Sequence, residues 1–223
     1  MNEFKTVEIK EDILSRNNEQ AKQIKADLKQ KKIFFLNVMS SPGSGKTTLI
    51  TNLVNRLKGD YNIGVIEADI DSDVDAHTIA EKTGVKTVQI HTAGACHLTC
   101  QMAWESLMAL GLDGLDFVIL ENIGNLVCPA EFDTGANFNL VLLSVPEGDD
   151  KPLKYPLMFE VASAVAVTKA DVAKVFDFSE AAVKRNVALR NPEAPVFVTS
   201  AAKDEGIDGL EKLLREKLEE VKN

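Results

Sequence analysis

The sequence contains few cysteines and no long apolar segment. Three cysteines, an odd number, fit free thiols or metal ligands in a reducing compartment better than they fit disulfides. No apolar run is both long enough and free enough of charge to cross a bilayer. The first residues also carry charges where a signal peptide needs its apolar stretch. We therefore expect a cytoplasmic protein that has no membrane partner.

Basic residues are in the minority. The chain has 25 lysines and arginines against 34 aspartates and glutamates, and its formal net charge is −9. Because such acidity disfavours contact with a phosphate backbone, we expect no nucleic-acid partner. The 223 residues, 45% of them hydrophobic, are enough to bury the core of one α/β domain.

Residues 40–48 read Ser-Ser-Pro-Gly-Ser-Gly-Lys-Thr-Thr and lie between an apolar run and a helical pattern. A strand, a glycine-rich turn and a helix in this order are typical of a phosphate-binding loop. Glycines let backbone N–H groups surround a polyphosphate, Lys46 reaches the outer phosphates, and the Thr47 hydroxyl binds Mg²⁺. Ser40 stands where the usual pattern has glycine. The predicted nucleotide-binding residues of this loop are Gly43, Ser44, Gly45, Lys46, Thr47 and Thr48.

Strand-like apolar runs alternate with helical periodicity along the chain. We predict strands at residues 33–39, 62–68, 86–90, 117–121, 140–145, 164–168 and 195–199, and a last helix at 207–221. This alternation predicts a three-layer α/β fold of the P-loop NTPase type, in which helices flank a mostly parallel sheet. Another helix, over residues 11–32, precedes the phosphate-binding loop and could pack on the domain or on a partner.

A second motif predicts the base of the nucleotide. A strand ends at Thr168, and Lys169 and Asp171 form a Lys-x-Asp sequence after it. A carboxylate at this place accepts two hydrogen bonds from guanine, while adenine presents the opposite pattern. This segment of the chain resembles the Asn-Lys-x-Asp motif of GTPases, with Thr168 in place of the asparagine. Ser200 and Ala201 resemble the loop through which GTPases contact the base. These five residues predict binding of GTP.

Two acidic residues at strand ends predict the Mg²⁺ site. Glu121 ends one strand and Gly124 follows it, which resembles a Walker B strand joined to the Asp-x-x-Gly motif of GTPases. Asp69 follows another strand. We expect Mg²⁺ to be held by Thr47, Asp69 and Glu121, and Gly124 to sense the outer phosphate. Lys46, Asp69 and Glu121 are the predicted catalytic residues.

Two thiols and an imidazole follow neighbouring strands. Cys96 and His97 begin a stretch with helical character, and Cys128 follows the strand that carries Glu121. Such ligands suit Zn²⁺ and Ni²⁺. Three ligands leave the shell incomplete, so the site stays open for transfer or a second subunit completes it. Cys100 is either a fourth ligand or, as we expect, a small buried hydrophobe.

With these motifs in place, the chain resembles the HypB family, GTPases that help to insert nickel into NiFe hydrogenase. The resemblance rests on residues 95–98, 121–130, 132–133 and 147–150. It implies an N-terminal helical extension over residues 1–32 and a P-loop GTPase domain that carries the metal site over residues 33–223.

The resemblance also implies how such a protein works. Cys96, His97 and Cys128 would form the metal site at the interface of a homodimer that GTP favours. The implied partners are a HypA-type nickel chaperone and the NiFe hydrogenase large subunit. Some members carry an N-terminal Cys-x-x-Cys-type site or a histidine-rich tract. Because the first cysteine here is Cys96, we expect no tight nickel storage at the N-terminus.

Three other functions remain as alternatives. A urease-type nickel GTPase has a Cys-Pro-His motif, whereas Ala130 follows Cys128 and Pro129 here. A regulatory dimer switched by nucleotide would use the cysteines for structural zinc alone. A P-loop kinase would transfer phosphate to a small acceptor, and the guanine selection predicted for Asp171 disfavours it.

Overall fold

The computed structural model describes the backbone of residues 9–223 and the side chains of residues 13–223. Seven strands form one sheet in the order β3-β2-β4-β1-β5-β6-β7, and every neighbouring pair is parallel. The strands are β1 Phe34–Met39, β2 Ile63–Asp69, β3 Lys86–His91, β4 Phe117–Glu121, β5 Phe138–Ser144, β6 Ala164–Thr168 and β7 Val196–Val198.

Helices connect these strands and cover both faces of the sheet. They are α1 Ile9–Gln30, α2 Lys46–Leu57, α3 Val74–Thr83, α4 Cys100–Leu110, α5 Cys128–Glu131, α6 Lys151–Lys154, α7 Pro156–Glu160, α8 Glu180–Ala188 and α9 Asp208–Lys222. Two 3₁₀ turns, Val145–Glu147 and Ala170–Val175, follow β5 and β6. None of the helices in this part of the chain is long and apolar enough to cross a bilayer.

The central strand shows why the sheet is buried on both faces. All six residues of β1 are buried, and its side chains alternate between two cores. Phe34, Leu36 and Val38 pack with α2, α3 and α9, whereas Phe35 packs with α1 and α4. Another cluster on that second face packs α7 and α8 against β5 and β6. Such continuous apolar runs are typical of parallel strands covered on both sides, so the predicted three-layer α/β fold is confirmed.

The N-terminal helix α1 packs on the domain. Its buried side chains Ala21, Ile24 and Leu28 belong to the same core cluster as Leu98 and Cys100. The helix ends at Gln30, two residues before the predicted end. It therefore covers the face of the sheet on which α4 lies.

Several strand boundaries differ from the predicted ones by one or two residues. β5 begins at Phe138 and ends at Ser144, whereas residues 140–145 were expected. The strand begins earlier because Phe138 lies beside Leu36 in the register of β1, and this pairing is not visible in the local sequence. All the predicted nucleotide motifs still lie at the carboxyl ends of strands, the edge at which parallel α/β sheets bind ligands.

Candidate nucleotide and metal sites

The phosphate-binding loop joins the end of β1 to the start of α2. Gly43 and Gly45 have φ values of 71° and 94°, in the left-handed region that glycine adopts without strain. α2 begins at Lys46, so its N-terminal N–H groups point at the place of a polyphosphate. Ser40 is fully buried, and its hydroxyl donates to the Ser41 carbonyl at 2.8 Å. The position where glycine is usual therefore holds a small, internally bonded side chain.

The loops after β6 and β7, which carry the predicted base-binding residues, are hydrogen-bonded to the phosphate-binding loop or to each other. The Thr168 hydroxyl donates to the Ser44 carbonyl at 2.6 Å, and Lys169 Nζ donates to the Gly43 carbonyl at 2.7 Å. Asp171 accepts a 2.6 Å hydrogen bond from Ser200 Oγ, which lowers the pKa of Asp171. The cleft between these loops is lined by Gly45, Thr48, Thr168, Lys169, Asp171, Ser200, Ala201 and Ala202. The structure therefore brings the predicted base residues together around one cleft.

Glu121 lies beside the phosphate-binding loop. Its Oε1 accepts a 2.9 Å hydrogen bond from Thr47 Oγ1, while its buried Oε2 has no hydrogen-bond partner among the described residues. Burial raises the pKa of Glu121 to about 7, and the Lys46 charge opposes this shift. A hydroxyl and an unsatisfied buried carboxylate oxygen are ligands that suit Mg²⁺. Thr47 and Glu121 thus have the relative placement that the Mg²⁺ prediction requires.

Gly124 lies against the same loop. A Cβ at this position would come within 2.9 Å of the Pro42 backbone N and Cα atoms. Only glycine therefore allows so close an approach without displacing one of the two backbones. This contact connects the loop after β4 to the phosphate-binding loop.

Cys96, His97 and Cys128 form a compact cluster. One ligand atom from each lies within 4.8 Å of the others, and the sulfur atoms of Cys96 and Cys128 are 3.2 Å apart. The hydrogen bond to Cys128 raises the pKa of Cys96, whereas burial lowers the pKa of His97 and so favours the neutral imidazole that binds metals. Phe132 stacks on the His97 ring, with the centroids 3.9 Å apart. These three groups suit a soft or borderline divalent cation.

The prediction that Cys96 and His97 begin a helix is wrong. They lie in the loop before α4, which begins at Cys100 because the Thr99 hydroxyl accepts a hydrogen bond from Met102 N and caps the helix. Cys100 is fully buried and lies outside the metal cluster. Its full burial confirms the expectation of a small buried hydrophobe, and this burial also raises its pKa to about 11.

The sequence profile of the family described as CobW/HypB/UreG, nucleotide-binding domain, matches residues 34–198. The chain belongs to the CobW/HypB/UreG family. It is similar to the "Hydrogenase/urease maturation factor HypB" of Helicobacter pylori (strain ATCC 700392 / 26695), with 44% identity over 220 residues that cover 97% of this chain and 90% of that protein. The "Hydrogenase maturation factor HypB" of Escherichia coli (strain K12) is 40% identical over 211 residues, which cover 93% of this chain and 71% of that protein.

A solved HypB structure has the same fold. The crystal structure of HypB from Helicobacter pylori in complex with nickel superposes on this chain with a TM-score of 0.85 and 43% identity, and covers 92% of this chain and 96% of that one. The predicted resemblance to HypB is confirmed, and the chain is a P-loop NTPase of this family.

Two acidic residues of this chain were not predicted from the sequence as site residues. Glu67, on β2, lies beside Glu121 in the strand register, and Asp75 lies on α3; one oxygen of each of the three groups falls within 4.8 Å of the others. Glu67 is 2% exposed, and burial together with the Glu121 charge raises its pKa to about 8. A charged residue inside the apolar strand Ile63-Gly64-Val65-Ile66-Glu67 was the signal available in the sequence.

Asp69 has a different environment from the one expected of a Mg²⁺ ligand. Its Oδ1 accepts hydrogen bonds from the backbone N–H groups of Asp71, at 3.0 Å, and Ser72, at 2.8 Å. The first of these bonds is the main cause that lowers the pKa of Asp69. Asp69 therefore stabilises the turn after β2. The acidic cluster around Glu121 is formed by Glu67 and Asp75 and does not include Asp69. The contact of Asp69 with Mg²⁺ and its catalytic role stay predictions.

Proposed function

We propose that the chain is a GTP-hydrolysing accessory protein that supplies nickel during the maturation of NiFe hydrogenase. The observation that carries this proposal is the segment from Glu121 to Cys128. It starts beside the phosphate-binding loop and ends in the cluster of Cys96, His97 and Cys128. The names of the Helicobacter and Escherichia relatives and the nickel complex of the former support it.

The base cleft supports GTP as the nucleotide. Asp171, oriented by Ser200, offers a carboxylate that matches guanine N1–H and the exocyclic amine, and Lys169 lies beside it to cover the base face. With adenine this carboxylate would be left without a donor. Thr168 replaces the asparagine of the usual motif, and its hydroxyl links the base loop to Ser44 of the phosphate-binding loop.

The acidic ends of β2 and β4 fit Mg²⁺. Thr47 and Glu121 would hold the ion, and Glu67 and Asp75 would ligate it or its water, because an oxygen of each lies within 4.8 Å of Glu121. Glu67 Oε2 and Glu121 Oε2 are buried without partners among the described residues, so both oxygens are available as ligands. When bound, Mg²⁺ neutralises charge on the phosphates. Lys46 would contact the outer phosphates.

The loop after β4 would couple the two sites. Gly124 packs on Pro42 of the phosphate-binding loop, so an outer phosphate that draws in the Gly124 N–H also pulls on Cys128, four residues later. Asn125, within the same loop, donates from Nδ2 to the Cys96 carbonyl at 3.2 Å. Movement of this loop would therefore shift Cys128 and, through Asn125, also the segment that carries Cys96 and His97. Such coupling is reciprocal, so the metal would change nucleotide affinity by the same factor.

The incomplete metal shell favours a homodimer. One chain supplies Cys96, His97 and Cys128, whereas Zn²⁺ and Ni²⁺ commonly take four or more ligands. A second copy facing the first would add its own thiolates, and GTP would favour this dimer.

We propose that a HypA-type chaperone supplies the nickel and that the hydrogenase large subunit receives it. Delivery to urease is a second candidate, because the Helicobacter relative is named for both enzymes.

Metal stoichiometry measured together with mass in solution tests the switch. We expect Ni²⁺ and Zn²⁺ to bind with different affinities in the presence of GDP and of a non-hydrolysable GTP analogue with Mg²⁺. We also expect the analogue to shift the mass towards a dimer. Equal affinities and equal masses in both nucleotide states would refute the coupling.

The cysteines provide a matched comparison for the metal site. Cys96→Ala combined with Cys128→Ala should abolish binding of Ni²⁺ while the fold and GTP binding are retained. Cys100→Ala removes a thiol from the same region but outside the cluster, and should leave binding of Ni²⁺ unchanged. Loss of the fold in the double variant would favour the alternative of a regulatory dimer with structural zinc.

A further inference from the structure

The N-terminal helix reaches the metal region through one buried side chain. Asn17, on α1, is 5% exposed. Its Nδ2 donates to the Asp133 carbonyl at 2.8 Å, and its Oδ1 accepts from the Cys100 backbone N–H at 2.8 Å. One carboxamide therefore ties α1 to two segments that lie far apart in the sequence.

These two segments are the ones that carry the proposed metal ligands. Cys100 starts α4 and follows His97 by three residues, while Asp133 follows Cys128 by five. Leu98, between His97 and Cys100, is fully buried in the core cluster that α1 shares with α4. Each ligand is therefore only a few residues from an anchor on α1.

The second segment is pressed against α1 by more than this one hydrogen bond. Lys25 Nζ lies 2.6 Å from Asp133 Oδ2, and Asp133 Oδ1 accepts from the Gly135 N–H at 2.8 Å. Gly135 has a φ of 82°, and a Cβ at this position would come within 2.8 Å of the Ile24 side chain. The chain after α5 therefore follows the surface of the N-terminal helix closely.

The two segments also meet directly at the cluster. Phe132, next to Asp133, stacks on His97 from the other segment, and the Cys96 and Cys128 sulfur atoms are 3.2 Å apart. A change in the separation of the segments would therefore change the spacing of the ligand atoms. An asparagine suits the bridging position because its side chain offers both a donor and an acceptor. An apolar residue of similar size would leave the Cys100 N–H and the Asp133 carbonyl without these bonds.

We propose that Asn17 is a positioning residue for the metal site: its carboxamide fixes the separation of the Cys96–His97 segment from the Cys128 segment. In this way it sets the affinity for Ni²⁺ without touching the metal. This inference rests on the proposed function of the cluster. Groups that orient metal ligands from behind typically change metal affinity by 10- to 100-fold when they are removed.

The test compares Asn17→Ala with Asn18→Ala in the full chain, with the GTP analogue and Mg²⁺ present throughout. Asn18 is the exposed neighbour on the same helix, so both changes raise helix propensity equally. Ni²⁺ affinity is measured by competition with a chromophoric chelator, and ligand geometry by the thiolate-to-nickel charge-transfer absorption. We expect Asn17→Ala to bind Ni²⁺ about 10- to 100-fold more weakly, with an altered absorption band and unchanged affinity for the analogue. Asn18→Ala should behave as the wild type.

A second variant keeps the test decisive if Asn17→Ala does not fold. Asn17→Asp retains the acceptor for the Cys100 N–H, where a negative charge at the start of α4 is favourable, but loses the donor to Asp133. We expect its Ni²⁺ affinity to fall about 10-fold. Wild-type affinity and absorption in either folded Asn17 variant would overturn the proposal. If instead the wild type and the Cys96→Ala, Cys128→Ala variant bind Ni²⁺ equally, the proposed metal site itself is wrong.

Discussion

The buried carboxylate of Glu67 makes the stability of the metal-free chain depend on pH. Its pKa rises from 4.5 to about 8 in the folded chain, because burial and then the Glu121 charge oppose ionisation. The folded state therefore holds the proton more tightly than the unfolded state. The contribution of Glu67 to stability is therefore fully present below pH 4.5 and is lost as the pH rises through about 8.

The size of this effect follows from the two pKa values. Each unit of pKa difference corresponds to about 1.36 kcal/mol, so Glu67 lowers the free energy of unfolding by about 3 kcal/mol between pH 5.5 and pH 8. Glu67→Gln removes this loss and leaves an amide that Gln89 can still contact. For a chain of this size, about 3 kcal/mol corresponds to a difference of roughly 6 to 12 °C in melting temperature.

The assay is thermal unfolding followed by circular dichroism at pH 5.5 and pH 8, in EDTA and without nucleotide. We expect Glu67→Gln to melt at a higher temperature than the wild type, with a clearly larger gain at pH 8. Glu105→Gln, which alters an exposed carboxylate on α4, is the control and should follow the wild type at both pH values. An equal gain at the two pH values, or a less stable Glu67→Gln at pH 8, would refute the reasoning.

Three further predictions concern the nucleotide and the metal. Asp171→Asn should weaken GTP binding about 100-fold and allow XTP to bind, because an amide donor then faces the base; unchanged competition by GTP in a fluorescence assay would contradict the guanine assignment. Gly124→Ala should slow GTP hydrolysis about 10-fold, since its Cβ would meet the Pro42 backbone at 2.9 Å, and phosphate release measures this. Phe132→Leu should weaken Ni²⁺ binding up to about 10-fold in a chelator competition, because aromatic stacking on His97 contributes about 0.5–1.5 kcal/mol; wild-type affinity would show that the stacking is incidental.

The nucleotide motifs could be predicted from sequence because each one depends on local chain geometry. The phosphate-binding loop needs its glycines and lysine at fixed spacing between a strand and a helix, and Lys169 and Asp171 lie within three residues of each other. Glu67 could not be assigned in this way. Its role depends on the register of β2 against β4, which places it beside Glu121 across 54 residues of sequence.

The cluster of Cys96, His97 and Cys128 was likewise predictable in its residue types but not in its geometry. The residue types Cys96, His97 and Cys128 indicate a metal, but the sequence wrongly predicts that the first two begin a helix. Their actual loop is set by the Thr99 cap and by packing against α1, and the contact with Asn17 joins residues separated by 83 positions. Such long-range pairs leave no periodic signal in the chain.

The sequence by itself determined the α/β class, the phosphate-binding loop, the base motif and three candidate metal ligands, because these follow from hydrophobic alternation and from short motifs with fixed chemistry. Only the tertiary structure decided which carboxylates share the acidic cluster, why Asp69 lies outside it, and how α1 holds the two segments that carry Cys96, His97 and Cys128. The physical reason is that strand register and helix packing, rather than neighbouring residues, set the distances between these groups.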